Sequence, residues 1–127
     1  MSPDPRASGR VSAPRRTPAP EPLPDRLAEL IAEYLQAMAE PHRIALLGVL
    51  AGGEASVQEL ADQVGIPYQN TSHHLILLRR AGILSRRKLG KANLYAIEDW
   101  SAWWVVGQIA GWMRSNQDEQ DSPASSG

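Results

Sequence analysis

The chain has 127 residues, enough for one small domain with flanking tails. Its hydrophobic fraction of 43% and net charge of −1 are ordinary for a globular protein, and it has no apolar run of the ~18 residues that a membrane span needs. The absence of cysteine excludes disulfides and thiolate metal sites. We expect a cytoplasmic protein, because no apolar stretch of the signal-peptide type follows the N-terminal arginines.

The tails and the charge distribution predict the domain organisation. Seven of the ten prolines lie in residues 1–24, which predicts a disordered tail, and the polar, acidic residues 115–127 predict a second one. The ordered domain is then residues 25–114. Residues 41–97 contain seven Lys or Arg against three Asp or Glu, whereas residues 98–127 contain five acidic residues and one arginine. A locally basic segment is typical of a surface that attracts phosphates.

Two helices are predicted at the start of the domain. Apolar residues at helical spacing predict the first helix over residues 25–38. Pro41 predicts the start of the second, because the fixed backbone angle of proline suits a first helical turn. Gly52 and Gly53 mark its end.

The next segment predicts two helices joined by a short turn. Ser56 and Glu59 have the spacing of a capping box, which satisfies two amide donors at the start of a helix. Gly65 suits the left-handed residue at the end of that helix. Pro67 then begins a fourth helix over about residues 68–81. Two helices separated by a three-residue turn form a helix-turn-helix.

A hairpin and a final helix complete the predicted fold. Residues 83–88 and 93–97 have the period-two pattern of strands, with a turn at residues 89–92. The last helix is predicted over residues 98–114, is apolar nearly all round, and contains all four tryptophans. The fold class is mainly α with a small β-hairpin wing, a winged helix-turn-helix with the order α-α-α-α-β-β-α.

The fourth helix carries the candidate base-reading residues. Thr71, Leu75 and Leu78 are spaced to face the core, so the opposite face is polar and suits the major groove. Gln69 could pair with adenine or contact a phosphate, and His73 could be either a base contact or an ordinary exposed residue. The candidate recognition residues are Tyr68, Gln69, Ser72 and His73.

Cations cluster at the end of this helix and on the hairpin. Around a turn that contains glycine, they suit a wing that lies along the DNA backbone or in the minor groove. The alternative is a solvated basic face. The candidate backbone and wing contacts are Arg79, Arg80, Arg86, Arg87, Lys88 and Lys91.

The recognition segment resembles a known family. The runs Ser72-His73-His74-Leu75 and Leu78–Leu84 resemble the recognition helix of ArsR/SmtB-type regulators, and Glu40–Leu47 resembles the start of their second helix. The resemblance implies a homodimer that packs through its first and last helices and binds inverted repeats, usually as a repressor released by an inducer. The implied interface residues are Leu27, Ile31, Tyr34, Trp100, Trp103 and Trp104.

The inducer is not predicted by the sequence. The metal ligands described for the family are cysteines near the third helix or Asp, His and Glu sets on the last helix, which here has only Glu98 and Asp99 near its start. His42 is expected to be a surface residue near the start of the second helix; a phosphate contact is an alternative, and a metal ligand is a weaker one. His74 is expected to be packed and hydrogen-bonded. The tryptophans could form the core and dimer interface or a hydrophobic inducer pocket.

The sequence thus predicts a sequence-specific DNA-binding transcriptional regulator whose partners are double-stranded DNA and a second copy of itself. No cofactor is predicted, and the effector is open between a small molecule and a metal. An enzyme is not expected, because a glycine-rich phosphate loop, paired carboxylates and an activated nucleophile are missing. Two alternatives remain: a protein-interaction module that uses the tryptophan-rich helix, and a nickel or zinc sensor with nitrogen and oxygen ligands.

Overall fold

The computed structural model describes residues 21–120, which form five helices and three strands. In chain order they are α1 (Asp25–Met38), α2 (Pro41–Leu50), β1 (Ala55–Ser56), α3 (Val57–Val64), α4 (Tyr68–Arg80), β2 (Leu84–Leu89), β3 (Ala92–Ile97) and α5 (Trp100–Gln120). This order confirms the predicted winged helix-turn-helix. The predicted tails, except residues 21–24 and 115–120, lie outside the described residues.

The helix ends follow the local chemistry that the sequence predicts. The Ser56 hydroxyl accepts from the Glu59 amide at 3.1 Å, and the Glu59 carboxylate accepts from the Ser56 amide at 2.8 Å, which completes the capping box. Gly65 ends α3 with φ of 80°, a left-handed conformation that disfavours any side chain. Pro41 occupies the first turn of α2, as expected.

The core lies between the helix-turn-helix and the sheet. Leucines of α2, α3 and α4 pack with residues of β2 and β3, and Leu60, Leu75 and Leu78 are completely buried. Burial of each such side chain stabilises the fold by about 1.5–3 kcal/mol. The core therefore fixes α4 against α3 and the wing, so that only one face of α4 remains accessible.

A third strand was not predicted from the sequence. Ala55 and Ser56 pair antiparallel with Tyr95 and Leu94, which gives the sheet order β1-β3-β2. A strand of two residues is too short to produce a period-two pattern. Because Ser56 also caps α3, this pairing connects the start of the helix-turn-helix directly to the wing.

Two predicted boundaries were wrong. The hairpin turn is shorter than residues 89–92, because Leu89 pairs with Ala92 and only Gly90 and Lys91 connect the strands. The helix α5 extends to Gln120 instead of ending at Arg114. Residues 115–120 contain neither glycine nor proline and include glutamine and glutamate, which favour helix.

The start of α5 was also placed too early. The helix begins at Trp100 rather than Glu98, and the Asp99 carboxylate accepts a hydrogen bond from the Ser101 amide at 3.0 Å. Aspartate before a helix commonly satisfies a first-turn amide in this way. Asp99 therefore precedes the helix as its capping residue, and α5 begins at Trp100, where the apolar pattern also begins.

Candidate nucleic-acid interface

The orientation of α4 is fixed by its buried side. Thr71, Leu75 and Leu78 are buried, as predicted, and the Thr71 hydroxyl donates to the Pro67 carbonyl at 2.9 Å. That hydrogen bond satisfies a buried hydroxyl within the first turn of the helix. The opposite side of α4 therefore faces away from the core.

The four candidate recognition residues lie on the accessible part of α4. Tyr68 is 49% exposed at the first position of the helix. Gln69 and His73 are exposed, and Ser72 is half-buried. Short polar groups and imidazoles at helical spacing suit the donors and acceptors of base edges. The structure leaves these groups free to reach a groove, and base contact by them stays a prediction.

The wing presents its cations in two different states. Arg86, Lys88 and Lys91 are exposed around the two-residue turn. Arg87 instead donates to both carboxylate oxygens of Glu54, at 2.7 and 2.8 Å, and this hydrogen bonding lowers the pKa of the Glu54 carboxyl. Because the pair is exposed, it contributes little to stability. Arg87 is therefore the wing cation whose charge is already partly neutralised.

Two further cations lie at the other end of α4. Arg79 and Arg80 are exposed in its last turn. Positive charge there interacts favourably with the partial negative charge at the C-terminus of a helix. Their positions are explained by helix stability alone, so contact with phosphate stays a prediction for both.

The six residues expected at a dimer interface divide into two groups. Tyr34 and Trp103 pack within the chain: the Tyr34 hydroxyl donates to Asp99 at 2.8 Å, and the Trp103 ring lies 3.6 Å from the Cβ position of Gly48. Burial, with the Asp99 contact, raises the pKa of Tyr34 to about 12. The remaining members are exposed: Leu27, Ile31, Trp100 and Trp104.

Large apolar side chains remain exposed along α1 and α5. On α1 they recur at the spacing of one helix face, and on α5 they include three tryptophans. A Cβ placed on Gly107 or Gly111 would meet no described atom within 4 Å. The exposed set is Leu27, Leu30, Ile31, Leu35, Trp100, Trp104, Ile109, Trp112 and Met113.

A cluster of two imidazoles and a carboxylate lies where α2 meets α4. One donor atom from each of Glu40, His42 and His74 can be chosen so that all three lie within 4.8 Å of one another. The Glu40 carboxylate also accepts from the Arg43 amide at 2.9 Å as the N-cap of α2. Sequence reasoning gave His42 no partners, because nothing in the sequence indicates that α4 returns to the start of α2.

The charge state of this cluster follows from burial and hydrogen bonds. Burial lowers the pKa of the His74 imidazole, and nearby Arg43 lowers it further, although Glu40 opposes the shift. Burial opposes ionisation of Glu40, but the hydrogen bond from the Arg43 amide lowers the pKa of its carboxyl overall. His74 is hydrogen-bonded to Arg43 and only 14% exposed, as the sequence predicted.

Comparison with known sequences identifies similar proteins. Residues 38–87 match the family described as Helix-turn-helix domain. The chain is 40% identical over 80 residues to the HTH-type transcriptional regulator KmtR of Mycobacterium tuberculosis, covering 63% of this chain and 62% of KmtR. It is 34% identical over 82 residues to the HTH-type transcriptional repressor SmtB of M. tuberculosis, covering 65% of this chain and 59% of SmtB. These matches span less than two thirds of either relative.

Comparison with solved structures identifies proteins of similar fold. The crystal structure of NolR from Sinorhizobium fredii is 31% identical, with a TM-score of 0.65. The superposition covers 72% of this chain and 94% of NolR. None of the helices between residues 21 and 120 is long and apolar enough to cross a membrane.

Proposed function

Because the chain belongs to the ArsR/SmtB-type winged helix-turn-helix regulators, we propose that it binds an inverted-repeat DNA operator as a homodimer and represses transcription. The observation that supports this most directly is the accessible polar face of α4, held next to a basic hairpin by a fully buried core. The known activity of the family is regulation rather than catalysis. DNA as the target also agrees with the predicted cytoplasmic location.

In this proposal α4 enters the major groove with its N-terminal half. Gln69 pairs with a base through its amide, while Ser72 and His73 donate to bases or phosphates and Tyr68 packs against the backbone at the groove edge. The buried contacts of Thr71 and Leu75 fix the orientation of α4 relative to the core. Sequence discrimination then depends on side chains whose removal leaves the fold unchanged.

The wing and the end of α4 supply sequence-independent attraction to phosphates. Each exposed cation that neutralises a phosphate releases counterions from the DNA and makes the affinity more dependent on salt. Lys88, Lys91 and Arg86 are the wing residues whose charges are available for this. Arg87 must first exchange Glu54 for a phosphate, so we expect it to contribute less than its neighbours.

The second copy packs against the exposed faces of α1 and α5. Two-fold symmetry then places the two α4 helices in half-sites about one helical turn of DNA apart. The exposed tryptophans favour burial against a partner, since aromatic residues dominate the energetics of interfaces. The protein-interaction alternative is not favoured, because the relatives are transcriptional regulators.

The experiment that tests this function compares DNA affinity for operator and random duplexes. The operator is first obtained by selection from a random pool with the purified protein. We expect Gln69→Ala to reduce the preference for operator by about 5- to 150-fold, equivalent to the 1–3 kcal/mol of one bidentate base contact. We expect Lys91→Ala to weaken both duplexes and reduce the slope of affinity against salt by about one.

The matched control is Arg26→Ala, which removes one exposed cation far from α4 in sequence, in α1. It should leave the operator preference and the salt slope unchanged. If no duplex is selected, or random DNA competes equally with the operator at moderate salt, the proposed function is wrong.

A further inference from the structure

The cluster of Glu40, His42 and His74 at the junction of α2 and α4 has the side-chain chemistry of a metal site. The proposed contacts with DNA do not require this cluster. Glu40 is the N-cap of α2, His42 lies in its first turn, and His74 projects from the middle of α4. The His42 and His74 ring centroids are 5.8 Å apart, with the Glu40 carboxylate 3.2 Å from His42 Nδ1 and 3.9 Å from His74 Nε2. Two imidazoles and one carboxylate are a common ligand set for zinc and other divalent transition metals in proteins.

We infer that Glu40, His42 and His74 bind one divalent transition-metal ion of the cobalt, nickel and zinc group. The separations are close to what such an ion needs. Ligand atoms about 2.05 Å from a tetrahedral ion are roughly 3.4 Å apart, and the donor atoms here already lie within 4.8 Å of one another. Binding therefore requires these atoms to approach one another by at most about 1.4 Å, and solvent can occupy the fourth position.

Because Arg43 is hydrogen-bonded to His74, a metal ion that binds His74 has to replace this hydrogen bond. Its Nη1 lies 3.1 Å from His74 Nδ1, and because arginine has only donors, Nδ1 must be the acceptor. The ring hydrogen of the neutral imidazole is then on Nε2. A metal on Nε2 moves that hydrogen to Nδ1, which can no longer accept from Arg43, and a metal on Nδ1 displaces Arg43 directly. Occupancy of His74 and the Arg43 hydrogen bond are therefore mutually exclusive.

Replacing the Arg43 hydrogen bond with a metal ion changes the side-chain contact that connects α4, the proposed recognition helix, to α2. Without metal, Arg43 and His74 form a side-chain hydrogen bond between α2 and α4, and the Glu40 carboxylate stays 3.9 Å from His74 Nε2. With metal, the link runs from Glu40 and His42 through the ion to His74, one residue from His73 on the proposed DNA face. The binding site stands on the geometry alone, and only this regulatory consequence rests on the proposed function.

The test titrates the full-length protein with cobalt(II) chloride in the absence of DNA and follows the visible absorption of bound cobalt. We expect one ion per chain. His42→Ala and Glu40→Gln should each weaken binding by at least about tenfold. His42 is 48% exposed, and glutamine keeps an acceptor oxygen for the Arg43 amide, so both variants should fold.

The matched control is His73→Ala, which removes an exposed imidazole next to His74 but outside the cluster. Its cobalt affinity should equal that of the unchanged protein. Absence of cobalt absorption in the unchanged protein, or equal cobalt affinity in His42→Ala, would overturn the site. Because no DNA is present, this result is independent of whether the protein binds an operator.

The replacement of the Arg43 hydrogen bond by a metal ion has its own spectroscopic signature. In long-range nitrogen–proton NMR spectra, the His74 ring should be protonated on Nε2 without metal, and zinc chloride should change that pattern only in proteins that retain His42. Arg43→Gln removes the competing charge and should increase cobalt affinity several-fold. An unchanged or weaker affinity in Arg43→Gln would contradict this replacement.

Discussion

Two regions of the molecule use their apolar residues in opposite ways. The winged region (residues 55–97) buries Leu60, Leu75, Leu78, Leu84 and Tyr95 within one chain. The helical base (α1 and α5) leaves one face of α1 and much of α5 exposed, although Tyr34 and Trp103 pack inward. Among residues 21–120, the first region covers most of its own apolar side chains, whereas the second leaves exposed the apolar face that we propose a second copy covers.

This difference separates two kinds of stability. A truncation in the core of the winged region should cost the same free energy of unfolding at every protein concentration. The helical base should gain stability as the dimer forms, because binding of a partner to the native state alone stabilises it by mass action. The following substitutions test this comparison, from the largest expected effect to the smallest.

The largest effect is expected when two leucines, one from each region, are replaced by alanine in separate variants and compared. Leu78 is 0% exposed, so Leu78→Ala should lower the free energy of unfolding by about 2–5 kcal/mol at every protein concentration. Leu35 is 45% exposed, so Leu35→Ala should cost less, and its cost should decrease on dilution. Urea unfolding at two protein concentrations measures both. Equal, concentration-independent losses would remove the distinction between the regions.

A charge placed on the helical base should weaken dimerisation next most strongly. Trp104 is 64% exposed, and Trp104→Arg should raise the dimer dissociation constant by about 30-fold or more, equivalent to roughly 2 kcal/mol. Two-fold symmetry introduces the change twice in each dimer. Sedimentation equilibrium measures the constant. Leu89→Arg is the matched control, since Leu89 is an exposed apolar residue on the wing; if it acts equally, the interface is misplaced.

The smallest effect is expected where the two helices of the base touch. Tyr34→Phe removes the hydrogen bond from α1 to Asp99 and should lower stability by about 1 kcal/mol. Hydrogen bonds from Ser101 and Tyr34 lower the pKa of Asp99, so its contribution is present above the ordinary aspartate pKa and disappears as pH falls through the lowered value.

At high pH the contribution of Tyr34 to stability changes with pH in the opposite direction. The pKa of Tyr34 is raised from 10.0 to about 12, so its contribution is complete below pH 10.0 and disappears as pH rises toward 12. The difference between the unchanged protein and Tyr34→Phe should therefore be largest between these limits. Thermal unfolding across pH measures it, and a difference that does not vary with pH would show that the hydroxyl contributes nothing through Asp99.

The fold was predictable wherever local chemistry and tertiary packing agree. The Ser56–Glu59 capping box, the Gly65 helix end and the buried face of α4 are local patterns that the structure confirms. The strand β1 was not predictable, because it exists only through its pairing with β3. The extension of α5 past Arg114 shows that a polar composition predicts exposure and not the end of a helix.

The candidate site was predictable to the same degree. The exposed face of α4 follows from its periodicity, but the engagement of Arg87 by Glu54 joins residues that are 33 positions apart. The pairing of His42 with His74 likewise requires α4 to return to the start of α2. Single residues and helix faces could be named from the sequence, and partners distant in the chain could not.

The pairing of β1 with β3 has a consequence for how the chain is made. During synthesis the helix-turn-helix emerges from the ribosome before Leu94 and Tyr95, yet Ala55 and Ser56 need them as strand partners. A nascent chain that has reached only Gly82 also lacks Tyr95, Ile97 and Ala102, which belong to the core. The recognition helix should therefore acquire its final packing late, after the wing and the first turn of α5 have left the ribosome.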